Sequence, residues 1–195
     1  MRKFTYIDTE SAWDERLHAA SLRINPHLMP FHRIASRRIF AAAAFDVGVS
    51  DEGAITCESI TRWAADKDGD ERQVVRDLFC HLHARTDRTV VGYGSIATDA
   101  QLLQLAAQEY SLPLPLHFKA ERPRHERVDS PGRHFDLGLA MKGRSKTWHH
   151  MSEILVRIGL PAFLMSGKKH VRFPHNDQGW DDVCAHVQLD LSLIH

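Results

Sequence analysis

Two β-prone runs joined by a three-residue turn constrain this chain more than any other feature. Residues 34–49 (IASRRIFAAAAFDVGV) turn small and apolar, Asp51-Glu52-Gly53 supplies turn chemistry, and residues 54–63 (AITCESITRW) resume a β-branched pattern. A short turn between two such runs predicts a β-hairpin. The four alanines at 41–44 would equally suit a helix; the brevity of the turn and the bounding β-branched residues favour strand. A lone hairpin is marginal in water and needs further layers to bury its apolar face. The flanking segments offer them. Residues 3–8 (KFTYID) form a short β-prone run ending in an acid, and residues 11–31, with Pro26 and Pro30, read as loop or short helix. Residues 69–85 place Val74, Val75, Leu78, Phe79 and Leu82 at helical spacing behind an acidic first turn. TVVGYG at 89–94 reads as an apolar strand ending in glycines, and residues 99–110 as a helix with Asp99 at its head. The Pro-, His- and Arg-rich stretch 111–133 predicts loop, 134–142 and 148–158 predict helices, 166–178 an irregular segment, and a last helix runs from about Trp180. This order predicts one α/β domain over residues 1–195, a mixed β-sheet flanked by α-helices.

Composition removes several classes. With 43% apolar and 26% charged residues the chain reads as globular, and no run approaches the ~18 apolar residues of a membrane span. The opening MRKFTYIDTE reaches an acid by position 8, so no secretory apolar region is expected. Cys57, Cys80 and Cys184 lie far apart with no CxxC pair, which argues against a disulfide framework or zinc ribbon and predicts a reducing, cytoplasmic setting. His125, His134, His149, His150, His170 and His175 match no tetrahedral spacing, so no dedicated zinc site is expected. Lys+Arg and Asp+Glu both number 25, yet the charges are segregated. Residues 46–87 carry 10 acids against 5 bases, and residues 119–172 carry 12 bases against 5 acids. Opposed blocks suit a phosphate backbone lying along one face, and equally a segregated solvated surface.

Three acidic features stand out. Asp8-Thr9-Glu10 ends the first strand, where alternation points Asp8 and Glu10 to one face. Two such carboxylates repel unless a cation or proton lies between them, and hard cations such as Mg²⁺ take one or two carboxylates plus substrate phosphate. Asp99 follows the strand 89–94 through a glycine-bearing turn, where a helix-dipole or cap role is the plainer alternative. In the last helix His186 and Asp190, four apart, share a face beside the apolar stripe Val183, Val187 and Leu191.

Taken together in order, these segments resemble the predicted 3′–5′ exonucleases related to the proofreading domain of family B DNA polymerases, in the DEDD superfamily with its ribonuclease H-like fold. YIDTE resembles the first motif, D-x-E; VVGYGSIATDAQLL the second, a strand end followed by the motif Asp; HFDLGLAMKG a His-x-Asp-Leu segment. MSEILVRIGLP resembles a helix ending in Gly-Leu-Pro, and AHVQLD the third motif. The resemblance covers nearly the whole chain, and its colinearity carries the weight. Gly94 stands where the family tends to have Asn, Thr98 where it has Phe, and His186 where this branch carries Tyr.

The resemblance implies a 3′–5′ exonuclease. Asp8, Glu10, Asp99 and Asp190 would hold two divalent cations, Mg²⁺ or Mn²⁺, about 3.5–4 Å apart, and His186 would orient or deprotonate the attacking water. The implied partner is DNA, a single-stranded 3′ end, with RNA as an alternative substrate and a catalytically weakened nucleic-acid-binding module as an alternative role. Lys142, Arg144, Lys146, Lys168 and Lys169 are the candidate backbone contacts. Tyr93 and Trp148 are candidates for base stacking.

Overall fold

A computed structural model describes residues 1–27, 34–65, 70–119, 133–142, 147–159, 174 and 177–194. The expected hairpin is β2 (Arg37–Val49) and β3 (Ile55–Ala64), paired antiparallel. β2 also pairs antiparallel with β1 (Arg2–Trp13), and β1 runs parallel to β4 (Thr89–Gly92), which runs parallel to β5 (His134–Asp136). Among the described residues this makes one five-stranded mixed sheet in the order β3-β2-β1-β4-β5. The helices are α1 (Glu15–Ile24), α2 (Glu71–His83), α3 (Asp99–Glu109), α4 (Leu137–Lys142), α5 (Met151–Arg157) and α6 (Asp177–Ile194). No helix of the described residues is long and apolar enough to cross a membrane.

Alternation along β1 assigns the helices to faces. Thr5 Oγ1 donates to Asp46 Oδ1 at 2.6 Å across the β1–β2 pair, and Arg85 Nε, just past the end of α2, donates to Asp46 Oδ2 at 2.6 Å. The odd-numbered face of β1 is therefore covered by α2, and by α3, whose Asp99 accepts from Thr9. The opposite face meets α6 at Glu10 and α5 at Phe4, Val91, Met151 and Leu155. Ala41–Ala44 lie between these layers with at most 1% of their surface exposed. Their helix propensity gives way because a strand buried on both faces is set by packing, and methyl groups let both helix layers approach closely. Arg38, at the start of β2, gathers the ends of three helices: Asp14 Oδ2 at 3.2 Å, Glu71 Oε2 at 2.8 Å, Glu109 Oε2 at 2.6 Å and Tyr110 Oη at 2.9 Å.

Three boundaries differ from the sequence reading, and one alternative it left open is resolved. β1 continues past Asp8 to Trp13 through a bulge at Glu10/Ser11, because Ser11, Ala12 and Trp13 still find partners on β2. The segment expected as loop or short helix holds the short helix α1, 10 residues long and capped by Asp14, whose Oδ1 accepts from Arg16 N at 2.8 Å and Leu17 N at 3.1 Å. Residues 134–136 are strand rather than helix start, since their backbone completes the parallel edge beside Val90–Gly92. The last helix starts at Asp177, inside the segment read as irregular. Most of the expected loop 111–133 and of the segment 166–178 lies outside the described residues.

Candidate active site

The site is built on β1, the middle strand of the sheet. β1 lies between β2 and β4, and its register sets Asp8 opposite Ala43, Thr9 opposite Ala42 and Glu10 opposite Ala41. Methyl neighbours leave the carboxylates space that larger side chains would fill. Alternation turns Asp8 and Glu10 to the α6 face and Thr9 to the α3 face. On α6, buried Val183 and Val187 seat the helix against the sheet and so carry His186 and Asp190 over Glu10. His186 Nε2 lies 3.3 Å from Glu10 Oε1 and 3.5 Å from Asp190 Oδ2. The side chains of His186 and Asp190 are each 10% exposed and that of Glu10 21%. One ligand atom from each of the three falls within 4.8 Å of the others, the spacing of a set that could hold a metal ion.

Asp99 is placed differently. It is the first residue of α3, 8% exposed, and Thr98 before it provides no side-chain cap. Thr9 Oγ1 donates to Asp99 Oδ1, and Thr98 Oγ1 donates to Oδ2 at 2.9 Å. Burial pushes the Asp99 carboxyl above the usual carboxylate range; the two threonine hydroxyls oppose that, and the nearby Glu10 charge adds to it. Asp99 is thus held on the far side of Thr9, electrostatically in touch with Glu10 and outside the cluster of three. Asp8, half-buried, shares the strand face of Glu10 without joining that cluster. The structure therefore brings Glu10, His186 and Asp190 into one group and flanks it with Asp8 and Asp99.

The turn that delivers Asp99 is held by a residue the sequence reading passed over. Asp136, 3% exposed, accepts from Gly94 N and Leu139 N at Oδ1 and from Ile96 N at Oδ2, each at 2.9 Å. Gly94 takes φ +69° inside this turn, a conformation that strains most other residues. Ser95 Oγ lies 2.8 Å from His134 Nε2, a second tie between the turn and β5. The segment HFDLGLAMKG carried the signal, but its acid was read as part of a helix rather than as the acceptor for a facing loop.

Of the candidate backbone contacts, Lys142 is described, at the end of α4; Arg144, Lys146, Lys168 and Lys169 lie outside the described residues. Lys142 Nζ sits 4.9 Å from the centre of the Trp148 ring. Tyr93 and Trp148 wall a pocket with His149, His150 and Met151. Burial raises the Tyr93 phenol above its ordinary value, with the charges of Asp136 and Glu153 adding.

No family model and no curated protein matches this sequence. Solved structures do. A family B DNA polymerase from the hyperthermophilic archaeon Pyrobaculum calidifontis aligns with 100% of this chain and 24% of its own, with TM-score 0.61 and 15% identity. A structure of exonuclease I aligns with 99% of this chain and 40% of its own, with TM-score 0.53 and 10% identity. The chain thus spans well under half the length of either. At such identities the likeness shows the fold, and it is the expected one: a ribonuclease H-like mixed sheet flanked by helices.

Proposed function

We propose that this chain is a divalent-metal-dependent 3′–5′ exonuclease acting on single-stranded DNA. The observation that carries the reading is the convergence of Glu10, His186 and Asp190 within 4.8 Å of one another, beside Asp8 on the same strand face. Two carboxylates at that spacing, with Asp8 beside them, fit a divalent cation, which supports a metal role for the site. Asp8, Glu10, Asp99 and Asp190 would hold two cations, Mg²⁺ or Mn²⁺. When bound, these supply electrostatic stabilisation of the scissile phosphodiester and acidify a water. His186 would orient or deprotonate that water, and the contacts of its Nε2 with Glu10 and Asp190 at 3.3 and 3.5 Å hold the ring beside the acids. Thr9 and Thr98 fix Asp99, so its carboxylate keeps one orientation. The shared fold with exonuclease I agrees with this reading at the level of architecture.

One observation favours a second reading, a nucleic-acid-binding module with weakened catalysis. The His186 ring reaches both Glu10 and Asp190, taking up ligand capacity that a cation requires. The readings separate on a labelled single-stranded DNA oligomer. The exonuclease releases mononucleotides from its 3′ end only with Mg²⁺ or Mn²⁺, and Asp8→Ala abolishes the release. Undiminished release by that variant would sink the proposal, and a matched RNA oligomer measures the preference between the two nucleic acids.

A further inference from the structure

We propose that the pocket walled by Tyr93, Trp148, His149, His150 and Met151 takes one unpaired nucleobase of the bound strand, stacked on the Trp148 ring. This deepens the nuclease reading and rests on it for the identity of the strand. The pocket has a volume of about 340 Å³, within the range of small-ligand sites. Its position ties it to the carboxylates. A β-carbon built on Gly92 would lie 3.7 Å from the Ile7 carbonyl oxygen, so the end of β4 still runs beside β1 there, where Tyr93 follows β4 and Asp8 follows Ile7. Tyr93, just past the end of β4, packs against the cluster of Phe4 and Val91; Val91 pairs with Tyr6, so this is the face that carries Asp8 and Glu10. The pocket therefore lies on the same sheet face as the acids.

The walls fit a flat aromatic group attached to an anion. Among the described residues Trp148 is the one exposed Phe, Tyr or Trp, with 43% of its surface open. An indole left half-open at a pocket mouth is a stacking platform for any base, because every base has a π-face. The platform is braced. Tyr93 Oη donates to the His149 carbonyl oxygen, and Met151, 9% exposed, is anchored in the cluster of Phe4, Val91 and Leu155. The Lys142 ammonium lies over the indole, and its flexible stem lets a stacking base displace it from the ring toward the phosphate of the same nucleotide. An aromatic peptide side chain would use the ring and leave that charge unmatched.

The test uses binding in EDTA, so that it does not depend on turnover, with the whole chain carrying Asp8→Ala. Fluorescence anisotropy with a labelled oligothymidylate gives Kd. Adding Trp148→Ala is expected to weaken binding by about five- to 150-fold, the range for loss of one base–aromatic stack, while Trp148→Phe restores most of it. Oligomers with one abasic residue, moved stepwise from the 3′ end, keep the test independent of any change in the pocket. The stack predicts weakened binding at one position only. Equal affinity for Trp148→Ala and its parent, or equal affinity for every abasic oligomer, overturns the inference, as does failure of the parent to bind the strand. Metal-dependent release by the unmodified chain is scored separately: binding without release removes the nuclease reading while the Trp148 ratio still decides the stack.

Discussion

Replacing Asp136 tests whether the turn before α3 is held by one carboxylate. Its two oxygens accept three backbone N–H groups, from Gly94, Ile96 and Leu139, each at 2.9 Å. A hydrogen bond to a charged group contributes about 1.5–3 kcal/mol, and a buried donor left unmatched costs about 1–3 kcal/mol. The three donors are half-buried, so each recovers part of its hydration, and the low end applies. Asp136→Ala should then cost about 3 kcal/mol, the three losses being coupled rather than additive. Asp136→Asn keeps one carbonyl oxygen and sets an NH₂ group against at least one donor, for a cost of about 1–2 kcal/mol. Urea unfolding with an unchanged m-value measures both, and amide exchange at Gly94 and Ile96 locates the effect. Because the freed turn carries Asp99, turnover should fall further than stability alone explains; a misplacement of about 1 Å can cost ~10²-fold. A destabilisation of Asp136→Asn below about 0.5 kcal/mol, the range of ordinary surface substitutions, together with unchanged exchange at both amides, would refute this account.

Two further outcomes follow from named contacts. Burial would raise the Asp46 carboxyl, but hydrogen bonds with His81, Thr5, Ser59 and Arg85 outweigh it and hold the group far below the usual range. A depressed folded-state value means stability that is full above the unfolded-state value of about 3.9 and is lost as pH falls toward the folded-state value. Asp46→Ala should therefore cost about 3 kcal/mol at pH 7, the low end for breaking a buried pair because the Arg85 side chain is 28% exposed. Its gap to the wild type in urea titrations should narrow below about pH 4. If Glu10 and Asp190 hold a cation, Mn²⁺ at about 100 times its Kd stabilises the fold by about 2.7 kcal/mol. That corresponds to a Tm rise of roughly 5–10 °C for a domain of this size. Glu10→Gln with Asp190→Asn should abolish the rise in a thermal scan, and an equal rise in that double variant would remove the cluster as the metal site.

How much of this was legible depended on whether the signal was local. The β2–β3 hairpin and α2 follow from patterns completed within one segment, such as Val74, Val75, Leu78, Phe79 and Leu82, all buried. Strand β5 spans three residues, too few for any period to register, and exists because Val90–Gly92 offer an open edge. The end of β1 was misplaced for the same reason, since Ser11 to Trp13 are held by pairing with Arg37 to Ile39 and by nothing in their own order. Within the site, the Asp8/Glu10 face and the His186/Asp190 spacing are properties of one strand and one helix. That Glu10 meets His186 is a docking fact, decided where Val183 and Val187 are buried 176 or so residues further along, and no spacing rule reaches that far. Asp99 shows the reverse: its place at the head of α3 is readable locally, whereas the hydrogen bond from Thr9 that orients it is not.

Segment 134–139 links the two parts of the site that the sequence left unconnected. Asp136 holds the turn leading to Asp99, and two residues later Gly138 lies against both that turn and the pocket. A β-carbon on Gly138 would fall 2.9 Å from Gly94 N and 3.1 Å from the Trp148 ring, closer than real side chains allow to backbone. The absence of a side chain at Gly138 therefore lets Trp148 and the Gly94 turn close on the same point. Whatever sets the position of Asp99 through Asp136 also sets the floor beneath Trp148. A bound base resting on Trp148 and a carboxylate presented by α3 are consequently referenced to one short stretch of backbone rather than to two independently placed loops. This shared reference is what a chain with short, individually weak motifs needs if a stacked nucleotide is to reach its acids in register.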